Sequence, residues 1–474
     1  MPPAHDSDLT VAARADTRTD SASIARPFSH REDGTDESTW LLDARWDTVA
    51  RLGFDSLLEH YPHVLLLAPH PDDETLALGA TLADLTDKAE TVTVVVATYG
   101  GSGSGSTERR VEGEQALAAL GSHIKTIWWN LPDGLLRNAI DEMVDRLVEL
   151  VDAKTLLFAP VECDGHADHE AVAAAAEAAA REREAALLYY PVWLWHWATP
   201  DDIEWPRVRT IAPSLQALKS KAAALDCYTS QLTAPDGYPI IGPALRDRAR
   251  RVIETVLVPV PHDLAARAEG HIAAVRSRAQ IAAPFDTMLD HGVTDPWRLD
   301  ESEYEKRRLA ITLACLGRTR YSSALEIGCS TGQLSALLRD RVSDVVGLDA
   351  SEMALDVARE RTSAVRWVLG AAPIDIPDAD FDLIVLSEVA YFLDGPELLA
   401  TLRGVRRRLR PHGEILIANW SAPTENIPLD GPTVNAQAAA IFDLPLRARY
   451  HDVDLTIQVW GEPVSVYREG ADSA

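Results

Sequence analysis

The strongest constraint on the fold of this chain is an alternation of short apolar runs with longer stretches of helical period. Apolar residues recur every three or four positions in the longer stretches, which are rich in Ala. This alternation is typical of parallel βαβ units with helices on both faces of the sheet. In the N-terminal half the predicted strands are His63–Ala68, Thr91–Thr98, Thr126–Leu131, Thr155–Ala159 and Leu187–Pro191.

A second alternation occupies the C-terminal half. Its predicted strands are Ser323–Ile327, Val345–Leu348, Val365–Val368, Asp382–Leu386 and Glu414–Ala418. The two halves share no motif, and 474 residues exceed the size of one average domain. We therefore predict an α/β fold class with two Rossmann-like, doubly wound domains, each with a mainly parallel sheet.

Composition along the chain sets the expected boundaries. Residues 1–38 are rich in Ser, Thr, Asp, Arg and Pro and have little apolar periodicity, which predicts a disordered leader. The first α/β domain is expected over 39–260 and the second over 284–474. Between them, the Ala- and Arg-rich stretch 261–283 predicts a linking helix.

Charge and cysteine content narrow the class of protein. A formal net charge of −28 argues against nucleic acid as a main partner and against binding to anionic membranes. The four cysteines form no CxxC pair, and no apolar run approaches the ~18–20 residues of a membrane span. We expect a reduced, cytoplasmic protein that acts on a small molecule, in an oligomeric state that the sequence leaves open.

Two clusters of polar residues follow predicted strands of the first domain. Pro69–Glu74 follows the first strand and places His70 and Asp73 three residues apart at the start of a helix. Asp164–Glu170 follows the fourth strand and supplies further imidazoles. Acids after a strand also fit an ordinary helix N-terminus, but two clusters in register on parallel strands favour a metal site. Two His and one carboxylate leave the open position that a catalytic zinc needs for water.

These clusters resemble those of the LmbE/PIG-L-like N-deacetylases, which include enzymes acting on N-acetylglucosaminyl lipids and pseudo-disaccharides. The main matches are P-H-P-D-D-E at 69–74 and H-x-D-H at 166–169. The resemblance covers about residues 60–235. Further matches are R-x-x-E at Arg109 and Glu112, P-D-G at 132–134 and S-Q at 230–231.

The resemblance implies a role for each residue of the two clusters. His70, Asp73 and His169 would bind zinc or another divalent ion, since such a ligand set also accepts Fe²⁺ or Co²⁺. Asp72 would be the general base, and His166 an acid or an oxyanion stabiliser. Asp168 would hold a histidine in its tautomer.

The resemblance also implies the class of substrate, an N-acetylated amino sugar or glycoside. Asp133 is the candidate for contacting a sugar hydroxyl. The Gly- and Ser-rich segment 100–106 lacks the lysine of a phosphate-binding loop, so we interpret it as a flexible loop of the active site.

A second candidate site lies in the C-terminal half. The turn 324–332 runs from a predicted strand into a helix, and its small residues allow a ligand to approach the backbone. About 20 residues later a second strand ends at Asp349, whose carboxylate can accept both ribose hydroxyls. The GxGxxG spacing is absent, and the layout alone fits either a dinucleotide or S-adenosylmethionine.

Residues 297–460 resemble the class I S-adenosylmethionine-dependent methyltransferases, and among them the nodulation-type N-methyltransferases, which methylate a sugar amine. The motifs are E-I-G-C-S-T-G at 326–332, G-L-D-A-S at 347–351 and F-D-L-I-V-L-S-E-V-A-Y-F-L at 381–393. P-W…S-E-Y-E at 296–305 matches a lead-in helix of that family.

The resemblance implies that different residues contact different parts of the S-adenosylmethionine molecule. Asp349 would bind ribose and Ser387 would lie beside the sulfonium. Glu388 would either accept the proton of an acceptor amine or tether the methionine amine. The residues expected at the methionine part are Glu326, Gly328, Cys329 and Gly332, and those expected at the adenine are Ala350 and Ser351. Three aromatic residues line either the acceptor pocket or the core: Tyr304, Tyr391 and Trp420.

The two chemistries are complementary, because an N-deacetylase exposes the primary amine that an N-methyltransferase uses. The main hypothesis is a bifunctional enzyme that deacetylates an amino-sugar compound and methylates the freed amine. The alternatives are two uncoupled activities, with O-methylation of another metabolite, or one domain that only binds its ligand.

Overall fold

A computed structural model describes residues 29–464 with short gaps. The gaps are 102–103, 234–236, 261–263, 266, 268–269, 290–294, 296–297, 299–300 and 423–426. The first 28 residues of the predicted leader and the P-W pair at 296–297 lie outside the described residues.

The first domain is built on an eight-stranded sheet with the order β1-β7-β8-β6-β5-β2-β3-β4. Its strands are β1 Ala50–Arg51, β2 His63–Ala68, β3 Thr91–Thr98, β4 Ile124–Leu131, β5 Thr155–Pro160, β6 Ala186–Tyr190, β7 Val208–Ile211 and β8 Glu254–Leu257. Its helices are α1 Glu37–Leu41, α2 Phe54–His60, α3 Asp73–Leu85, α4 Ser104–Leu120, α5 Ile140–Val148, α6 Ala167–Arg183, α7 Leu194–Trp197, α8 Leu215–Leu225, α9 Thr229–Leu232 and α10 Pro243–Ala249.

The second domain is built on a seven-stranded sheet with the order β11-β10-β9-β12-β13-β15-β14. Its strands are β9 Tyr321–Ile327, β10 Val342–Asp349, β11 Arg366–Leu369, β12 Phe381–Ser387, β13 Leu409–Trp420, β14 Leu446–His451 and β15 Leu455–Trp460. Its helices are α11 Arg278–Leu289, α12 Glu303–Cys315, α13 Gln333–Leu338, α14 Glu352–Arg361, α15 Gly395–Arg408 and α16 Gly431–Phe442.

The predicted fold class is confirmed, with two Rossmann-like α/β domains and mainly parallel sheets. All ten predicted strands are present, and β2 and β3 have the predicted bounds. Five strands were not predicted: β8, β14 and β15, which pair antiparallel with their neighbours, β7, which pairs antiparallel with β8 and parallel with β1, and the two-residue strand β1 itself. The parallel strands stand out because their continuous apolar runs are covered by helices on both faces.

Two segments near the predicted boundaries differ from expectation. Residues 29–38, assigned to the disordered leader, pack on the first domain and lead into α1. The predicted linking helix over 261–283 is interrupted, because Ile272 pairs with Leu52 in an extended bridge and α11 begins only at Arg278. That bridge keeps the start of the connection attached to the first domain.

The two domains are in direct contact. Buried residues of both sheets belong to one hydrophobic cluster, which includes Trp40 and Leu41 of α1 and Phe442 of α16. Ion pairs cross the boundary: Arg51–Asp394 at 2.7 Å, Asp47–Arg403 at 3.0 Å and Lys219–Asp430 at 2.9 Å. The interface therefore resembles a shared core rather than two bodies on a flexible tether.

The described part of the chain has no helix both long enough and apolar enough to cross a membrane. The four cysteines are free, as their spacing predicts.

Candidate active sites

The first site lies where four adjacent parallel strands end. The strand β2 ends just before His70, β5 ends before the 164–169 segment, and β4 ends before Asp133. In the sheet the order of these strands is β5-β2-β3-β4, so the loops that follow them meet at one edge. The topology thus places residues nearly 100 positions apart in the sequence around one cavity.

The three predicted metal ligands lie together and are buried. Asp73 Oδ2 is 3.2 Å from His70 Nδ1 and 3.3 Å from His169 Nε2. The ligand atoms of these three residues fall within 4.8 Å of one another. Neither ring nitrogen of His169 makes a hydrogen bond of good geometry among the described residues, although Nδ1 lies 2.7 Å from Asp164 Oδ2 and Nε2 lies 3.3 Å from Asp73 Oδ2. A buried imidazole nitrogen left unpaired beside a carboxylate fits a metal ligand, so this donor set suits a divalent cation.

A second overlapping group combines His70 with His166 and Asp168. This group is a poorer set of metal ligands than the first, because its carboxylate oxygens and one of its imidazole nitrogens already accept hydrogen bonds from backbone N–H groups. Asp168 accepts backbone N–H groups from Gly134 at 2.7 Å and Leu136 at 3.0 Å. His166 Nδ1 accepts the N–H of Asp168 at 3.2 Å as the cap of α6.

Asp168 contacts one of the predicted metal ligands. Its Oδ2 is 3.3 Å from His70 Nε2, a contact through which a carboxylate can orient an imidazole, and the predicted role of Asp168 in setting the tautomer stays a prediction. Through Gly134 and Leu136 it also holds the P-D-G turn against the site.

His166 and Asp72 face the same cavity from different loops. Burial and the neighbouring His169 lower the pKa of His166 to about 4. Burial and the adjacent Asp73 raise the pKa of Asp72 well above its usual range. Asp72 also has a φ of 135°, a strained conformation for a residue with a side chain. Its Oδ2 is 3.6 Å from Arg109 Nη2.

The weaker motif matches interlock around Asp72. Arg109 donates to Gln231 Oε1 at 2.8 Å, and Gln231 donates to the carbonyl of Pro71 at 3.0 Å. Glu112 accepts from the backbone N–H of Ser230 at 2.7 Å and from its hydroxyl at 2.6 Å. R-x-x-E on α4 and S-Q on α9 are therefore two halves of one clamp on the Pro71–Asp72 turn.

Asp164 and Glu74 received no role from the sequence. Asp164 Oδ2 is 2.7 Å from His169 Nδ1, and the carboxylate accepts backbone N–H groups of residues 192–194. Glu74 accepts the N–H of Asp72 at 3.2 Å. Both lie within the recognised clusters, but their partners come from the fold, so no local pattern identified them.

Asp133 contacts protein groups at the edge of the metal cluster. Its Oδ1 is 3.0 Å from His70 Nε2, and it accepts the N–H of Gly101. The hydrogen bond with His70 lowers the pKa of Asp133 to about 2. Its predicted contact with a sugar hydroxyl stays a prediction.

Ser104 begins α4, so the predicted active-site loop at 100–106 is helical in its last three residues.

The second site is a cavity of about 290 Å³ at the ends of β9, β10 and β12. Seven predicted cofactor residues line it, and so does Glu388. The seven are Glu326, Gly328, Cys329, Asp349, Ala350, Ser351 and Ser387. Asp349 accepts backbone N–H groups of Ser330 at 2.8 Å and Ser351 at 2.9 Å, which joins the turns after β9 and β10.

The two glycines of the 324–332 turn, Gly328 and Gly332, lie in different surroundings. Gly328 has a φ of +73°, and a Cβ there would lie 2.4 Å from Val389. Gly332 does not line the cavity; it caps α13 with a φ of +82°, and a Cβ there would lie 2.6 Å from Trp367. Because Gly332 is the N-cap of α13 and is not among the residues that line the cavity, this geometry does not support its predicted place under the methionine.

Two buried polar atoms without a partner in the described part of the chain belong to Glu388, which lines the cavity, and to Tyr304, which is not among the lining residues. Glu388 Oε2 accepts from the Tyr391 hydroxyl at 2.7 Å and from the N–H of Trp420 at 3.2 Å. Its Oε1 is buried without a partner among the described residues, and so is the hydroxyl of Tyr304. Burial raises the pKa of Glu388. Tyr304 packs edge-on against Trp420, with ring centroids 4.9 Å apart.

Arg308 is the main residue of the second cavity that no sequence motif identified. It lines the cavity, donates to Glu305 at 2.6 Å and 2.8 Å, and donates to Ser387. Its only local signal is the i,i+3 spacing from Glu305 on α12. Ile281 and Phe285 of α11 also line the cavity, so the connection between the domains forms one of its walls.

The comparisons with known proteins divide at the domain boundary. Residues 65–180 match the family model "PIG-L: GlcNAc-PI de-N-acetylase", and residues 286–428 match "Nodulation protein S (NodS)". The uncharacterized deacetylase YaiS of Escherichia coli K12 is 31% identical over 164 residues, which cover 33% of this chain and 88% of YaiS.

Nodulation protein S of Bradyrhizobium diazoefficiens is 33% identical over 132 residues, which cover 27% of this chain and 63% of that protein. The chain thus spans less than two thirds of this relative's length. Among solved structures, NodS of Bradyrhizobium japonicum WM9 in complex with S-adenosyl-L-homocysteine is 22% identical, with a TM-score of 0.35, over 39% of this chain and 98% of that chain. The A40926 pseudoaglycone deacetylase Dbv21 is 22% identical, with a TM-score of 0.34, over 41% and 96%.

Proposed function

Since the chain belongs to the PIG-L deacetylase family through its N-terminal half and carries a NodS-type methyltransferase domain in its C-terminal half, we propose that it deacetylates an amino-sugar compound and then methylates the freed amine. The observation that carries this order is the unpaired, buried oxygen of Glu388 in the second cavity. An acceptor amine donates a hydrogen bond to such an oxygen, whereas an acetamide is too weakly nucleophilic to be methylated.

In the first site, His70, Asp73 and His169 would hold a divalent ion. When bound, zinc or a similar cation supplies a water of lowered pKa and polarises the acetamide carbonyl. Asp72 takes the proton of the attacking water and passes it to the nitrogen as the C–N bond breaks, which releases acetate and an amine. Its buried carboxyl suits that transfer, and the Arg109 clamp holds it in place.

The hydrogen bond of His166 supports one of its two predicted roles. Because Nδ1 accepts the N–H of Asp168 and the pKa is about 4, the ring is neutral and carries its proton on Nε2. That Nε2–H can donate to the oxygen of the tetrahedral adduct. We therefore propose His166 as an oxyanion stabiliser rather than a general acid.

In the second site, S-adenosylmethionine supplies a methyl group that is electrophilic because it is bonded to a sulfonium. Asp349 would bind the ribose, and Arg308 would pair with the methionine carboxylate, since its guanidinium is fixed by Glu305 and Ser387. Glu388 and Tyr304 would hold the amine in line with the methyl group, and the Glu388 carboxylate would accept the proton that the nitrogen loses when the N–CH₃ bond forms and the S–CH₃ bond breaks.

The order of the two reactions is tested with matched substrates. The protein is supplied with S-adenosylmethionine and either an N-acetylated amino sugar or its free amine, and the products are followed by mass spectrometry. The wild type should methylate both, and Asp72→Asn only the free amine. Direct methylation of the acetylated compound by Asp72→Asn, or methylation of a hydroxyl or carboxyl compound that lacks an amine, would contradict the proposal.

A further inference from the structure

The mouth of the first cavity is formed partly by residues outside the family match at 65–180. The cavity has a volume of about 410 Å³ and is lined by two of the predicted metal ligands, His70 and Asp73, and by Asp72 and Arg109. Ser29 and His30 also line it, and so do Trp193 and Ile240. We name residues 29–35 the N-terminal strap, because they run from this mouth to the start of α1.

The N-terminal strap is fastened to the segment that contains α7. The N–H of Thr35 donates to the carbonyl of His196 at 2.9 Å, and its hydroxyl donates to the carbonyl of Ala198 at 2.6 Å. His196 Nε2 lies 3.3 Å from the carbonyl of Ser29. Both ends of the strap are thus anchored on one short stretch of chain, which holds Ser29 and His30 at the cavity.

Gly34 makes this close approach possible. Its φ is +72°, and a Cβ at this position would lie 2.6 Å from His196 Nδ1 and 2.9 Å from the His196 carbonyl oxygen. A side chain at position 34 would therefore push the strap off its anchor without altering any residue that lines the cavity.

The wall that these residues build differs from the catalytic floor. The floor is charged, with Asp72, Asp73 and Arg109, whereas the wall carries the indole of Trp193 and the side chain of Ile240. The strap reaches the Ile240 loop as well, since the Arg31 guanidinium lies 5.3 Å from the Tyr238 ring centroid. A ligand that suits this cavity has a polar end at the floor and an apolar face at the mouth.

We propose that Ser29 and His30 are specificity-determining residues that, with Trp193 and Ile240, bind the apolar group attached to the acetylated sugar. The inference rests on the proposed deacetylation and names its substrate class: a glycoside of an N-acetylated amino sugar with an aromatic or similarly flat, apolar aglycone. Stacking of such a group on the wall orients the sugar so that its acetamide faces Asp72 and His166.

The test compares two probes that share one sugar, nitrophenyl N-acetyl-β-glucosaminide and methyl N-acetyl-β-glucosaminide. Their affinities are measured by calorimetry on the full chain, with every protein carrying Asp72→Asn so that neither probe is consumed. The aryl probe should bind about tenfold more tightly than the methyl probe. His30→Ala and Gly34→Val should each abolish that preference and leave the affinity for the methyl probe within about twofold.

Gly270→Val is the matched control for backbone strain. Gly270 has a φ of +88° and, among the described residues, no atom within 4 Å of its Cβ position, so the change adds strain without moving the strap. This variant should keep the aryl preference. Equal affinities of the two probes for the unsubstituted strap, or an aryl preference that survives both strap substitutions, would overturn the inference.

The outcome is separable from that of the proposed function. Hydrolysis of the two probes is measured on the chain with Asp72 restored and a divalent ion present. Failure to release acetate from either probe would reject deacetylation of such sugars, while the binding preference and its loss in the variants would still support the role of the strap.

Discussion

Asp164 lies outside the predicted set of metal ligands but contacts one of them, His169. Its carboxylate holds the backbone of 192–194 and lies 2.7 Å from the Nδ1 of His169. This pairing leaves Nε2 of the same ring facing Asp73. A metal-binding histidine needs its second nitrogen held in this way, because the contact sets both ring orientation and tautomer.

We predict that Asp164→Asn lowers the affinity for the divalent ion by about 10- to 100-fold, because an amide presents an N–H where the ring and the backbone need acceptors. Competition with a chelator measures this affinity. The control is Asp84→Asn, since Asp84 also accepts hydrogen bonds from a distant turn, at Ser214, but lies away from the site. An unchanged affinity in Asp164→Asn would show that the 2.7 Å contact does not orient His169.

The raised pKa of Glu326 leads us to predict that the stability of the second domain depends on pH. Burial raises the pKa of this carboxyl from 4.5 to about 7, while the Ser335 hydroxyl donates to it. Between these two values the folded chain keeps a proton that the unfolded chain releases. Stability therefore falls as pH rises through this window, by about 3 kcal/mol at most.

Glu326→Gln should remove this fall, because glutamine does not ionise and still accepts the hydrogen bond of Ser335. Thermal unfolding midpoints of the two proteins at about pH 5 and about pH 8 provide the measurement. The midpoint of the wild type should drop more than that of the variant between the two pH values. Equal drops would mean that Glu326 does not titrate in this range.

At the level of elements, α4 and α9 act as a clamp on the turn after β2. Arg109 reaches the turn only because Gly100 leaves room: its φ is +65°, and a Cβ there would lie 2.4 Å from the Arg109 guanidinium. Arg109 is in turn 3.6 Å from Asp72. The loop after β3 thus sets the position of Arg109, which contacts the proposed general base in the loop after the neighbouring strand β2.

Gly100→Ala should therefore lower kcat/KM for deacetylation by about tenfold, since it displaces the Arg109 guanidinium. Combined with Arg109→Ala, it should add little, because both changes remove one interaction. Gly101→Ala is the control: its φ is +100°, but in the described part of the chain no atom lies within 4 Å of its Cβ position. An equal loss in Gly101→Ala would assign the effect to backbone strain instead of the clash.

For the whole molecule, the interface makes the two domains depend on each other for stability. Helix α15 begins at this interface, where Asp394 caps it and pairs with Arg51 at 2.7 Å. Gly395 follows, and a Cβ there would lie 2.1 Å from the carbonyl oxygen of Val252 in the first domain. A backbone atom cannot move aside as the end of a side chain can, so this position allows only glycine.

Gly395→Ala should destabilise the interface by about 1–3 kcal/mol. In calorimetry we expect one main unfolding transition for the wild type and two separated transitions for the variant. Gly404→Ala on the same helix is the control, because its nearest neighbour is the flexible end of Ile376 at 3.1 Å and alanine favours a helix interior. Independent transitions already in the wild type would contradict a shared core.

The sequence by itself determined the elements and motifs whose signals are local. Strand and helix periods appear within ten to twenty neighbouring residues, so the ten parallel strands were predictable, as were both clusters of the metal site. His70 and Asp73 lie on one turn, and Asp349 ends one strand, so contiguous residues carry this information. The strands β7, β8, β14 and β15 were missed because they lie outside the strand–helix alternation on which the prediction was based, and their antiparallel pairing is set by contacts with distant strands.

Only the tertiary structure decided which distant segments meet. Asp164 contacts residues 192–194, Arg308 contacts Ser387, and the N-terminal strap reaches the cavity through His196. The tertiary structure also decided that Gly332 is not among the residues lining the cofactor cavity. It placed Gly395 against Val252 at the interface between the domains. These contacts depend on strand order and chain crossings, which no local pattern encodes, because residues far apart in sequence become neighbours only after the sheets assemble.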